Sequence, residues 1–512
     1  MKPKILTYMS GEKGHVFFGV LKALKEKIDF ESDIIIDRNS NVKEFFLSQK
    51  FVDFKKLFFY RDHIFPEKSA DLEYLEDFEK RTKINLLIAA FADPSLFRQD
   101  NYPIQQNSII LSLLSDTCKL FEKIMIEEKP DFLMIHWGGS IQINLLESIA
   151  KFYGVKVLKL NLGHFGPRWQ ITQNFELLDD YKNKKSTSIL KLTDSYLHEQ
   201  QEKIAAKHYF KTATKGPELK KSNLIKNLFY NFNELQQEFN SSPGNYQKKY
   251  SDFLFELFKE NISRHFRKKF LDKNALKKID SSKKFVYFPL HVQPESTIDY
   301  SAPFFTKQIS VIRNISQSLP INYELYVKEH FSMGIWNNWR PISYYKEIQE
   351  MPNVQLIHPS ISSSVLLENC KLVTTIHGSV SYESLFYKKP VILFTEMTTS
   401  KIIPSVIQLK ELEELPSVIR KALNSSLDDG YIEYFESKMQ QTFNFDISIF
   451  ADVFRLFYKF SMIDDISNKS MEEFLEKRHD TLEFLAKKFM DKIDDFKQGK
   501  ILTERLNFEN NV

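Results

Sequence analysis

The chain is short of the residues on which several whole classes of protein depend. Only two cysteines, Cys118 and Cys370, occur in 512 residues. Both sit inside apolar segments, which leaves neither a disulfide framework nor a cysteine metal site and predicts two buried thiols. No stretch approaches the roughly 18 uninterrupted apolar residues of a membrane-spanning helix, and MKPKILTYMSGEKGH lacks the apolar core of a signal peptide. The expected location is cytoplasmic, at most peripheral to an inner membrane. An excess of one charge is missing too: 71 Lys and Arg stand against 67 Asp and Glu, net +4. Such a balance offers no general attraction for nucleic acid.

What is present is ample apolar material, 42% of residues, in a chain too long for a single core, so two large domains with additions are expected. Short apolar runs alternate with helical periodicity in two separate regions. In the first, KILTYM (4–9), DIIID (33–37), FLMIHW (132–137) and KVLKLNLG (156–163) are strands, with helices after the first, near 107–127 and over 140–152. In the second, FVYFPL (285–290), YELYV (323–327), NVQLI (353–357), KLVTTI (371–376) and PVILF (390–394) form the series. Strands alternating with helices predict an α/β fold with parallel, doubly wound sheets. Residues 180–284 show no strand alternation and carry basic runs such as KNKK (182–185), HFRKK (265–269) and KNALKK (273–278) between helical stretches such as YSDFLFELF (250–258). They read as a helical insertion or interdomain segment, its basic runs being mostly solvated helix faces. Beyond Pro404 the pattern turns helical, and over 474–496 Leu475, Leu482, Leu485, Phe489, Ile493 and Phe496 make one apolar stripe. The expected division is 1–179, 180–284, 285–425 and a helical 426–512.

Open α/β sheets hold ligands outside the C-terminal ends of their strands, and there the second region concentrates its polar residues. FPLHVQPEST (288–297) presents His291, Gln293 and Glu295 on a loop that Pro289 and Pro294 force out of the sheet. KEH (328–330) closes the next strand, with Lys328 suited to a phosphate and His330 to a leaving-group oxygen. IHPS (357–360) adds His358. In IHGSVSYESL (376–385), Gly378 allows close approach of the backbone to an anion, Ser379 can cap the helix or donate to that anion, and Glu383 can accept from a ribose diol. Each block alone is equally a strand exit, a salt bridge or a capped helix. Four in succession along one sheet edge argue for a ligand.

The first region offers SGEKGH (10–15), where Glu12 or His15 is the candidate general base, and HWGGS (136–140) and LGHFGPRW (162–169). Gly139 permits close approach of chain to ligand, His164 is a second base candidate, and Arg168 can bind an anionic acceptor. Each of these also reads as a tight turn between strand and helix.

The ordered blocks FPLHVQPEST, YVKEH, LIHPS and TTIHGSVSYESLFYKKPVILF, together with PDFLMIHWGGS and LKLNLGHFGPRW, resemble those of the bacterial capsule polysaccharide biosynthesis protein family. The resemblance covers both strand-rich regions but not 180–284 or the C-terminal tail. It implies a GT-B-like fold of two Rossmann-like domains facing a cleft. It also implies a metal-independent glycosyltransferase that uses a CMP- or UDP-linked sugar, bound on the C-terminal domain, and a glycan or glycolipid acceptor, bound on the N-terminal one. Its Gln-Pro block falls on Gln293 and Pro294, its helix-start block on Gly378, Ser379 and Glu383, and its Lys-x-His-Pro block on Lys328 and His330. Phe331 stands where that block has proline, and His377 where the family has Thr or Ser. A nucleotide-sugar 2-epimerase of the same architecture and a non-catalytic scaffold or export component of a polysaccharide assembly complex are the competing readings.

Overall fold

The computed structural model describes residues 2–37, 40–66, 68–93, 107–163, 168–174, 178–179, 263, 266–293, 296–330, 333, 340–425, 430–459 and 463–503. Most of the 180–284 segment, with His164, Glu295 and Phe331, lies outside these residues, as does the side chain of Glu12.

The apolar runs become strands because their β-branched and aromatic residues are buried on both faces, as parallel sheets covered by helices require. The first sheet contains β1 (Lys4–Ser10), β2 (Glu31–Asp37), β3 (Lys56–Phe59), β4 (Phe132–His136), β5 (Lys156–Leu162) and β6 (Arg168–Thr172). The second contains β7 (Phe285–Pro289), β8 (Glu324–Lys328), β9 (Val354–Ile357), β10 (Leu372–Thr375), β11 (Val391–Leu393) and β12 (Val406–Gln408). A last strand, β13 (Thr442–Asn444), joins the edge of the first sheet, whose order is β13-β6-β5-β4-β1-β2-β3. The second sheet runs β12-β11-β10-β7-β8-β9 and is parallel throughout. In both, the chain winds outward from the first strand in one direction and then returns to wind in the other. That reversal leaves a crevice between β1 and β4 in the first unit and between β7 and β10 in the second.

The chain beyond Pro404 departs from its all-helical expectation. It adds β12 to the second sheet, and then β13 pairs antiparallel with β6, Thr442 opposite Gln170 and Asn444 opposite Arg168. Three-residue strands give too short an alternation to stand out in a sequence, and their pairing is set by the sheet edge they meet. The stripe over 474–496 falls on two helices, Asn468–Lys477 and His479–Lys497, broken at Arg478. Leu482, Leu485, Phe489, Ile493 and Phe496 are buried in one cluster with Phe17, Phe18 and Leu21 of the helix Gly11–Lys25 and with Ile5, Met134 and Leu158 of the sheet. The C-terminal segment therefore completes the core of the N-terminal unit, each fully buried Phe or Leu stabilising it by about 1.5–3 kcal/mol. Contact is close enough that a Cβ on Gly19 would lie 2.7 Å from a Leu482 methyl. Two doubly wound units, with the chain returning from the second to the first, make the GT-B-like architecture that the resemblance implies.

Cys118 and Cys370 are buried and free, as their apolar surroundings predict. Among the described residues no helix is long and apolar enough to cross a membrane.

Candidate functional site

The crevice of the second unit collects residues from the exits of β7, β8 and β10. His291 follows β7 and is clamped at both ends. Its backbone N–H donates to Gln308 Oε1 (2.8 Å), and its carbonyl accepts from Gln308 Nε2 (3.2 Å) and Arg340 Nη2 (2.5 Å). Its ring Nε2 meets the His377 carbonyl at 2.6 Å and Thr375 Oγ1 at 3.2 Å. A carbonyl only accepts, so Nε2 carries the proton. Burial pushes His291 down to about 4, so the ring is neutral at pH 7.

After β10 the chain turns through His377, Gly378 and Ser379 into the helix Val380–Phe386. Gly378 takes φ +99°, in the region that L side chains rarely adopt, and the His291 ring lies 3.8 Å from where its Cβ would be. His377 Nδ1 stands 2.8 Å from Thr395 Oγ1, whose hydroxyl is given to the Ile376 carbonyl. Ser379 makes no capping bond with its side chain; the hydroxyl serves Glu383 instead. Glu383 is held above the usual carboxylate range by burial, with Ser379 and Lys328 opposing that shift.

β8 supplies Lys328, only 6% exposed, whose Nζ donates to Ser363 Oγ at 2.9 Å. No carboxylate lies within ion-pair distance of it among the described residues, and burial lowers it to about 8 against the pull of Glu383. Side chains alternate across a strand, so Glu329 turns to the other face. There it is 0% exposed, receiving Arg340 Nη1 at both oxygens (2.5 and 2.7 Å), Tyr345 Oη (2.7 Å) and the His330 N–H (2.7 Å). This ion pair anchors the strand end on one face, and Lys328 stands on the other. His330 is lowered to about 4, first by burial and then by His291, Lys328 and Arg340.

Not all the predicted residues join this cluster. His358 sits at the far side of β8, where its Nε2 meets Asp272 Oδ1 (3.1 Å) and its Nδ1 meets Ser360 Oγ (2.6 Å). Its backbone pairs with Leu276, so it ties the 266–276 segment to the sheet edge. Gln293 donates to the Thr306 carbonyl (2.5 Å) and holds the loop rather than facing the crevice alone. Arg340 and Gln308, which clamp His291, had no sequence signal: both lie inside unremarkable stretches and earn their place only through tertiary contact.

In the first unit, β1 runs to Ser10 and the helix starts at Gly11, so the loop expected over 10–15 is largely helical. His15 is 0% exposed and lies against Phe457, ring centroids 4.6 Å apart. That burial by the returning C-terminal helix removes it as a solvent-facing base. Glu12 is in the first turn of that helix, beside the β1–β4 crevice. Gly139 is in the loop after β4, facing the same crevice from the other side. Across it Ser10 Oγ meets His136 Nε2 (3.0 Å), and Lys13 Nζ lies 3.7 Å above the Trp137 ring. Arg168 is committed elsewhere, donating to Thr442 Oγ1 (2.7 Å) and to the carbonyls of Met439 (3.1 Å) and Thr442 (2.6 Å). Its guanidinium closes the end of the helix Gly430–Gln441 and fastens β13, a role no residue near it in sequence reveals. Among the described residues no three His, Cys, Asp or Glu side chains are grouped to hold a metal ion.

No curated protein matches the chain. Among solved structures it is similar to Methanocaldococcus jannaschii UDP-GlcNAc 2-epimerase in complex with UDP-GlcNAc and UDP, at 12% identity, over 86% of this chain and 99% of that one, TM-score 0.25. The UDP-N-acetylglucosamine 2-epimerase from Rickettsia bellii gives 10%, 86%, 95% and 0.28, and the glycotransferase of kitacinnamycin 10%, 86%, 95% and 0.23. Scores of this size carry no weight, and the fold stands on the strand orders above. Residues 194–398 match the family model of the capsule polysaccharide biosynthesis proteins; that span takes in the whole β7–β10 cluster and ties this part of the chain to capsule polysaccharide biosynthesis.

Proposed function

We propose that the chain is a glycosyltransferase of capsule or surface polysaccharide synthesis, taking a sugar from a CMP- or UDP-linked donor held in the β7–β10 crevice to a glycan or glycolipid acceptor on the first unit. The observation that carries this reading is Lys328: a nearly fully buried ammonium bonded to the Ser363 hydroxyl, at the exit of β8, one strand from the β7–β10 reversal where ligands bind in such sheets. Burying a cation is costly unless an anion joins it, and a donor phosphate supplies that anion.

In the reaction the bond between the anomeric carbon and the donor phosphate breaks as the acceptor oxygen bonds to that carbon. Negative charge grows on the departing phosphate, where Lys328 opposes it, and neutral His330 donates an N–H to the same oxygens. Glu383 accepts from ribose hydroxyls, and Gly378 lets the backbone approach. The acceptor's proton passes to a base of the first unit, for which Glu12, beside the β1–β4 crevice, is preferred over the buried His15. Chemistry at these positions needs no metal.

The test is calorimetry with UDP and CMP on the wild-type chain and on Lys328→Met. Micromolar binding of one nucleotide, weakened about ten- to 150-fold in the variant, is expected, and absence of binding by either nucleotide would refute the reading. Incubation with nucleotide-sugar alone then separates transfer, which gives no epimer, from 2-epimerisation.

A further inference from the structure

A chain of hydrogen bonds crosses the crevice of the first unit, and no part of the donor chemistry uses it. Backbone pairing between β1 and β4 ends at Thr7 opposite Met134, before either strand does. Beyond that point side chains join the two strand ends. Ser10 Oγ meets His136 Nε2 at 3.0 Å, and His136 Nδ1 meets the Trp137 carbonyl at 2.7 Å, which the Lys13 ammonium also reaches at 3.2 Å. His136 is 4% exposed and packs near the Phe17 ring, centroids 6.1 Å apart. Gly138 leaves room for this arrangement, since a Cβ there would stand 2.7 Å from Ile143 Cδ1 and 3.7 Å from His136 Cε1.

The protons of this chain run in one direction. A carbonyl only accepts, so Nδ1 carries the ring proton, and the bare Nε2 accepts from the Ser10 hydroxyl. Burial first, and then the Lys13 ammonium, holds His136 down to about 3, so the ring is neutral at pH 7. Serine at the start of a helix ordinarily turns its oxygen to the first-turn amides. Ser10 stands at the start of Gly11–Lys25 and makes no such bond. Its oxygen is left with two lone pairs and no proton to give. Unlike His136, Ser10 is partly exposed, as are Gly11, Trp137, Gly138 and Gly139 around it, and a Cβ on Gly11 would meet nothing within 4 Å. The oxygen therefore stands where the crevice is open.

We infer that Ser10 binds a hydroxyl of the sugar acceptor, its oxygen receiving the hydrogen bond, and that His136 is the positioning residue that holds the oxygen ready. The proposal rests on the reading that the first unit takes the acceptor. The ligand class follows from the direction of the protons: a sugar hydroxyl donates, whereas phosphate and carboxylate oxygens have nothing to donate and are turned away. The hydroxyl held by Ser10 is not the one that reacts, because a hydroxyl has one proton and the reacting one gives its proton to the base. Burial opposes an imidazolium at His136, which orients the serine and does not take that proton. Glu12, the proposed base, follows Ser10 by two residues in the chain. Ser10 thus selects acceptors that carry a second hydroxyl near the reacting one, as the diols of a sugar ring do.

The full chain is screened on an oligosaccharide array, and the best-bound saccharide is compared by calorimetry with its singly deoxygenated analogues on the wild type, Ser10→Ala and Ser10→Thr. Ser10→Ala weakens binding of the parent saccharide about two- to twelvefold. Ser10→Thr keeps the affinity, and both variants bind UDP or CMP as the wild type does. One analogue, lacking the hydroxyl that Ser10 holds, binds the wild type and Ser10→Ala alike, a cancellation that a merely structural serine does not produce. In nitrogen-15 NMR of histidine-labelled protein at about pH 7, His136 is neutral with its proton on Nδ1, and its Nε2 signal moves in Ser10→Ala. Unchanged saccharide affinity in Ser10→Ala, an effect that no analogue cancels, or a proton on Nε2 overturns the proposal. A wild-type chain that binds nucleotide but no saccharide overturns it together with the acceptor half of the reading. Saccharide binding that depends on Ser10, with neither nucleotide bound, sinks the donor half alone.

Discussion

Replacing Lys328 by methionine sets binding against stability. The amine is lowered from its ordinary value of 10.5 to about 8, mainly by burial, a difference worth about 3 kcal/mol. Below pH 8 both the folded and the unfolded chain carry the proton, and the whole cost of burying it weighs on the fold. Between about 8 and 10.5 the unfolded chain keeps a proton that the folded one has lost, so this contribution makes stability rise with pH. Methionine is nearly isosteric and removes the cost. Less the bond to Ser363, worth about 1 kcal/mol, the variant is stabler at pH 7 by about 2 kcal/mol, read from urea unfolding. Nucleotide binding moves the other way. Only the ammonium form meets phosphate, so the apparent Kd of the wild type rises about tenfold between pH 7 and pH 9 for a group titrating at about 8. In the variant, affinity falls by about 1.5–3 kcal/mol, that of a hydrogen bond to a charged group, and the pH dependence flattens. Calorimetry at constant ionic strength measures both. Equal wild-type affinity at pH 7 and 9, or a variant less stable at pH 7 that binds nucleotide as tightly as the wild type, refutes the reasoning.

Three further outcomes are expected. Arg340→Met leaves Glu329 buried without its cation and removes a bond to the His291 carbonyl; unfolding free energy falls by about 3–5 kcal/mol, and a second change of Glu329 to Gln recovers part of it. Gly378→Ala has room, since the His291 ring is 3.8 Å from the new Cβ, but forces an L residue to φ +99°; thermal unfolding shows a loss of about 1–3 kcal/mol, and an unchanged Tm contradicts that backbone. Gly19→Ala drives a methyl to within 2.7 Å of Leu482, costing about 1–3 kcal/mol, and amide exchange quickens in the helix His479–Lys497 before it does in the second unit.

The strands of both units were legible in the sequence because a parallel sheet buried on both faces demands continuous apolar runs: FVYFPL, KLVTTI and FLMIHW have no other use for so many β-branched and aromatic residues. Turn chemistry was legible as well. Gly378 sits at a positive φ, and Lys328, His291 and His330 meet in one crevice because a doubly wound sheet brings successive strand exits to one edge. His15, Arg168 and His358 show where such reading stops. Residue type and position at a strand end said nothing of the partner that would claim each: Phe457 for His15, the carbonyls of Met439 and Thr442 for Arg168, Asp272 for His358.

Local apolar periodicity and strand exits thus determined by themselves that this chain builds two α/β units with a polar edge on the second, since side-chain burial at periods of 2 and 3.6 is a property of the segment alone. Only the tertiary structure decided that the C-terminal helices finish the first unit's core, and that Glu329 is spent on Arg340 while Lys328 is kept buried beside the Ser363 hydroxyl. Those outcomes depend on which distant segments share a small volume, and desolvation there, not residue type, sets which polar group is satisfied and which is left to a ligand.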